Sequence, residues 1–223
     1  MPRVARVDIS NYPYHVINRG VMRLTIFNSE ADYALFEELL FDTAQETGMR
    51  ILAYALMPNH WHLVLFPVSD GDLGIFMHRL TNSHTRQVHA QTGTIGTGPL
   101  YQGRYKSFLI QEDRHLVTVL KYVERNPVRA KLAPRPELWR WGSAWRRMHG
   151  TTKQNEFLSH SPVQLPRNYL SWLNTPEHSE ELESIRTSVN KGSPYGLESW
   201  VEKTAKKFGL SSTLRNPGRP KRD

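Results

Sequence analysis

The chain has 223 residues, 39% of them hydrophobic, with a formal net charge of +8 and no cysteine. Such a length carries one sizeable core with an appendage, and the missing cysteine excludes disulfides and thiolate metal sites, leaving His, Asp, Glu, Asn, Gln or water as ligands. No apolar run is long enough to span a bilayer, the first residues lack a signal stretch, and the basic excess suits a polyanion; the expectation is a cytoplasmic, nucleoid-associated protein with no membrane partner.

Residues 12–19 read as a strand, followed by a turn at Gly20. Residues 30–45 place Ala31, Ala34, Leu35, Leu39 and Leu40 at helical spacing, with Asn28 or Ser29 as N-cap and Gly48 as the stop. Strands follow at 50–57 and 60–67, joined tightly through Pro58 and Asn59. A helix is predicted over 73–90, a Gly/Thr-rich flexible loop over 91–99, a strand over 104–110 and a third helix over 113–125. Strand, helix, strand, strand, helix, strand is the order of a ferredoxin-like α+β fold, a split βαβ with a four-stranded antiparallel sheet. Its two helices cover one face, and the third helix is free to cover part of the other. The predicted division is 1–150 for this domain and 151–223 for a C-terminal helical accessory region with a basic tail.

Between Lys121 and Arg147 eight basic residues stand against Glu124 and Glu137, interleaved with Trp139, Trp141 and Trp145. Bases stacking on rings while phosphates meet cations would use such a segment; the other reading of the tryptophans is core. A basic stretch also closes the chain, where Gly218, Arg219 and Pro220 read either as a solubilising terminus or as a flexible arm whose Arg219 enters a minor groove.

Two patterns could carry chemistry. In His60-Trp61-His62 the imidazoles project to one face of a strand and Trp61 to the other, so the pair either starts a divalent-metal site or is ordinary packing. In Tyr122-Val123-Glu124-Arg125-Asn126-Pro127, a helix continued to Asn126 would put Tyr122 and Asn126 on one face. The phenol would serve as nucleophile toward a metal-polarised phosphate, and Asn126 as an oxygen ligand. Against that, Pro127 disfavours helical geometry at Asn126, which suits an N-cap instead.

The stretch MPNHWHLVL (57–65) resembles the HUH motif, and YVERNPVRAKL (122–132) resembles the tyrosine-bearing helix of single-strand transposases. Together with YHVINRG (14–20), LYQGRYKS (100–107) and GRPK (218–221), the chain resembles the REP-associated tyrosine transposases (RAYTs), well over about residues 10–150 and loosely beyond. The resemblance implies a ferredoxin-like fold and a single-strand DNA endonuclease and transesterase acting on REP-type hairpins with a flanking tetranucleotide. It implies Mg²⁺ or Mn²⁺ held by His60, His62 and Asn126, attack by Tyr122, and a 5′-phosphotyrosine with a free 3′-OH. Expected DNA contacts are Asn18, Arg19, Arg104, Lys106, Arg125, Arg129 and Arg219. The chain departs from the family pattern at Lys131, where a glycine is expected after Ala130; a lysine suits a helix end. Rival readings are a hairpin-binding protein that no longer cuts, a hydrolase in which water attacks, and a core with incidental histidines.

Overall fold

The computed structural model describes residues 7–215. Its first six elements are β1 (Tyr14–Arg19), α1 (Glu30–Thr47), β2 (Arg50–Met57), β3 (His60–Phe66), α2 (Asp72–Thr92) and β4 (Lys106–Leu109). The strands pair antiparallel in the order β2-β3-β1-β4, the expected ferredoxin-like arrangement. Ser29 starts α1 through a reciprocal capping box with Asp32, and Gly48 ends it at φ 68°, a left-handed position glycine takes without steric penalty. Helix α2 runs two residues further than its pattern predicts, into the segment expected as loop, and stops at Gly93.

Strand β4 is shorter than expected, and the reason bears on function. Tyr101 bridges Gly20 and Lys106 pairs with Ile17, so residues 102–105 stand opposite only 18–19. The surplus bulges out of the ladder and turns Arg104 into solvent.

One sheet face packs on α1 and α2 through Trp61, Phe36, Leu40, Phe76 and Leu80, all fully buried. The other lies under α3 (Arg114–Glu124), which continues into the short α4 (Asn126–Arg129). Along the chain follow α5 (Ser143–His149), α6 (Thr152–Asn155), α7 (Tyr169–Asn174), α8 (Ser179–Lys191) and α9 (Glu198–Lys207). Ile185 of α8, with Tyr195, enters the core beneath α3, whereas Ala205 and Leu210 join the opposite one.

The basic, tryptophan-rich segment turns out to be largely structural. Trp141 is buried and stacks on Tyr33 at 5.0 Å between centroids, and the Trp139 indole donates to the Leu56 carbonyl at 2.9 Å. Arg146, only 3% exposed, pairs with Glu37, whose carboxylate also accepts from the Tyr54 hydroxyl at 2.5 Å. Glu124 accepts from Ser143 at 2.7 Å, from Arg147 and from Tyr169. Cations that alternate with aromatics in sequence are here the partners of buried carboxylates from distant elements.

Candidate functional site

Strand alternation settles which side chains meet. His60 and His62 face α3, with ring centroids 5.1 Å apart. Trp61 turns to the opposite core and donates to the Tyr101 hydroxyl at 3.0 Å. On neighbouring β1, Arg19 lies opposite His60, Ile17 opposite His62 and His15 opposite Val64, so His15 and Arg19 share that face. On the other side Met57, Ala55 and Ala53 stand opposite His60, His62 and Val64, and the two alanines leave room for α3. The Tyr122 ring comes down on this floor, its centroid 6.0 Å from those of both His62 and His15.

Each histidine of the pair has its Nδ1 engaged: His60 with the Asn59 Oδ1 at 2.6 Å, His62 with the His15 Nε2 at 2.8 Å. Burial, assisted by Arg19, pushes the His60 imidazole down to about 4. His62 is held well below its ordinary value by burial and then by its histidine neighbours, and burial alone takes His15 to about 3. All three rings are therefore neutral at pH 7, the protonation state a metal ligand needs. With Nδ1 spoken for, Nε2 is the nitrogen left on each ring, the usual arrangement of a metal-binding imidazole. His62 can offer a lone pair there only if its Nδ1 carries the proton toward His15, whose own Nδ1 is buried without a partner.

Among the described residues no group of three or more His, Cys, Asp and Glu could hold a metal. A site here would therefore rest on two imidazoles and an amide, open to water and substrate oxygens. Asn126 fits the third role on one observation: its Nδ2 is buried without a hydrogen-bond partner, and turning the amide over exchanges that nitrogen for the oxygen a metal would need. Neither reading of the Asn-Pro break is quite what forms. Helix α3 stops at Glu124, Arg125 keeps right-handed geometry at φ −89° and ψ −2°, and Asn126 is the first residue of α4 rather than its N-cap.

Tyr122 itself is 7% exposed. Burial pushes its phenol up from the ordinary value, while the Arg129 charge pulls the other way. Arg129 lies over the ring at 4.3 Å, donates to the Tyr122 carbonyl and pairs with Glu177, from the loop between α7 and α8. Arg125 reaches the same carboxylate at 2.7 Å and the Leu173 carbonyl at 2.7 Å. Two of the arginines expected to touch DNA, Arg125 and Arg129, are thus held by Glu177, and Arg125 is buried.

The other expected contacts converge. Asn18, Arg19, Arg104 and Lys106 line one open cavity of about 510 Å³ with Ile17, Gln102 and Arg23. Arg23, Arg104 and Lys106 are exposed, and none of these cations forms an ion pair among the described residues. Arg19 connects cavity and histidines, since it stands opposite His60 in the ladder. Arg219 lies outside the described residues. Sequence reasoning missed His15, Asn59 and Arg23. The parity of His15 with the His60 face becomes a signal only once the strand register is known.

The family model described as "Transposase IS200 like" matches residues 8–126. Among solved structures, the chain is similar to the REP-associated tyrosine transposase bound to a REP hairpin, at 15% identity and TM-score 0.56, covering 66% of this chain and 86% of that one. It also matches a protein of Deinococcus radiodurans r1 described as a candidate transposase, at 19% identity and TM-score 0.39, over 56% of this chain and 95% of that one. The first likeness is one of fold; the second is too low to carry an argument. No curated protein matches.

Proposed function

The chain belongs to the IS200-like transposase family, and from that premise we propose that it is a RAYT-type enzyme that cuts single-stranded DNA beside a hairpin by transesterification. The observation that carries this reading is the meeting of Tyr122 with His62 of the histidine pair on one sheet face, their rings being 6.0 Å apart. His60, His62 and Asn126 would hold Mg²⁺ or Mn²⁺, which when bound polarises the scissile phosphate. The Tyr122 Oη attacks phosphorus and forms a 5′-phosphotyrosine as the P–O3′ bond breaks. The phenol proton leaves to solvent, and the departing 3′ oxygen takes one up. Asn18, Arg19, Arg104 and Lys106 would guide the strand into the cleft by charge and hydrogen bonding. Arg125 and Arg129 would reach phosphates only if Glu177 released them. The 1–150 segment would then be the catalytic unit, with 151–223 as the region that carries Glu177.

A second reading has a specific observation in its favour: a phenol this buried, its pKa raised, suits a protein that binds hairpins without cutting. One experiment separates the two. Wild type and Tyr122→Phe are incubated with end-labelled hairpin oligonucleotides and Mn²⁺, then resolved on a denaturing gel. The cutting enzyme gives a covalent protein–DNA adduct that Tyr122→Phe abolishes, with hairpin affinity kept within a few-fold. Cutting at an undiminished rate by Tyr122→Phe moves the nucleophile elsewhere, and neither adduct nor cut DNA from wild type leaves a binding protein.

A further inference from the structure

The residue before the histidine pair does something that no motif assigns. The Asn59 side chain makes two hydrogen bonds: Nδ2 donates to the Arg23 carbonyl at 3.2 Å, and Oδ1 faces the His60 Nδ1 at 2.6 Å. A backbone carbonyl can only accept, so the NH₂ group must be the one turned toward Arg23. The oxygen is then turned toward His60, and a ring nitrogen facing an acceptor must carry the proton.

The turn that supplies the Arg23 carbonyl is itself strongly determined. Met22 and Arg23 adopt left-handed φ of 51° and 63°, uncommon in two consecutive non-glycine residues. It is pinned by bonds from the Gly20 amide to the Asn59 carbonyl at 2.9 Å and from Val21 to Leu100 at 2.9 Å. A Cβ at Gly20 would stand 2.4 Å from the Leu24 carbonyl oxygen, so this path needs glycine. The turn presents Arg23 to the cationic cleft and leaves Met22 83% exposed.

We propose that Asn59 is a positioning residue that fixes His60 with its proton on Nδ1 and its Nε2 lone pair free, and fastens that ring to the cleft-lining turn 20–24. Its consequence for metal affinity rests on the metal reading above; the tautomer does not. The anchor is fixed before any strand binds, and displacement of the turn by DNA reaches His60 through one amide.

The test uses full-length protein with ¹⁵N-labelled histidine, free of metal, and reads the His60 tautomer by NMR. Wild type should show Nδ1–H. Asn59→Ala should lose that preference and weaken Mn²⁺ binding, followed by calorimetry, by about 10-fold or more. Asn59→Asp, which keeps the acceptor but not the donor, should restore tautomer and affinity, a rescue that general loosening would not give; melting curves check that both variants fold. Nδ1–H in wild type with no Mn²⁺ binding would defeat the metal reading and leave the positioning role supported. An unchanged His60 tautomer in Asn59→Ala, or Nε2–H in wild type, would overturn it.

Discussion

The guanidinium of Arg129 lies 4.3 Å from the centre of the Tyr122 ring, and the same group donates to the Tyr122 carbonyl. An arginine seven positions on, beyond a helix break, thus covers the proposed nucleophile and counters the upward push of burial on its phenol.

Replacing Arg129 with Gln removes that charge. The phenol should titrate higher still, and the rise of cleavage rate with pH should move to higher pH. Single-turnover cleavage near pH 8 should fall by about 10-fold or more, each tenfold being about 1.4 kcal/mol of barrier, while hairpin affinity stays within a few-fold. A matching loss of affinity with a flatter salt dependence would instead make Arg129 a phosphate contact.

Two classes of cation should separate by salt titration. Arg23→Ala, Arg104→Ala and Lys106→Ala remove exposed charges from the cleft and should each flatten the log–log salt dependence of hairpin binding by about 0.7 to 0.9 for a lost phosphate contact. Their melting temperatures should scarcely move. Arg146→Ala leaves the buried Glu37 carboxylate only the Tyr54 hydroxyl and the more exposed Arg140 at 3.4 Å, and should cost up to about 3–5 kcal/mol of stability, read by urea unfolding, with no change of slope in whatever remains folded. Salt slopes that fail to distinguish the two sets would remove the cleft from the binding surface.

What could be read from the chain follows from the range of each interaction. Strand alternation, an N-cap at Asn28 or Ser29 and the Gly48 stop are local, so the order of the elements and the shared face of His60 and His62 were legible. The partners of the arginines were not. Arg125 meets Glu177 and Arg146 meets Glu37 across long stretches of chain, and nothing near either arginine marks it as spoken for. His15 was hidden for the same reason: its bond to His62 depends on β1 lying beside β3 in one register.

Acid should destabilise the protein through His84. This ring is fully buried between Phe27 and Phe36, its Nδ1 is 2.6 Å from the Tyr101 hydroxyl, and burial pushes its pKa down to about 4. In the unfolded chain it titrates near about 6.5. Between these values the unfolded state binds a proton that the folded state refuses, so stability is complete above about 6.5 and declines as pH falls toward 4. The loss attributable to this ring approaches about 3 kcal/mol at the lower end. Chemical unfolding from pH 7 to 4.5 should show a smaller pH dependence in His84→Gln than in wild type, by up to one proton. Parallel curves would mean that His84 titrates alike in both states.

The last prediction concerns Lys131, where the resemblance led to the expectation of a glycine. After α4 the Lys131 amide donates to the Val128 carbonyl at 3.0 Å and the Leu132 amide to that of Pro127 at 2.9 Å, the paired bonds of a Schellman helix end. That closure needs a left-handed residue, and Lys131 supplies it at φ 59°. The expectation that a lysine would serve here through its charge addressed the helix dipole; the demand at this position is on the backbone. A side chain in this conformation carries about 1–2 kcal/mol of strain, against which glycine brings about 0.5–1 kcal/mol of extra chain entropy in the unfolded state. Lys131 is exposed, and its ammonium forms no ion pair among the described residues. Lys131→Gly should therefore stabilise the protein by about 0.5–1 kcal/mol, measured by urea unfolding, whereas Lys131→Ala should gain nothing because it keeps the Cβ. Since the closure follows directly on the turn of helix that carries Asn126 and Arg129, the glycine variant should also cut DNA at least as fast as wild type. A loss of stability in Lys131→Gly would show that the lysine side chain outweighs the strain of its backbone.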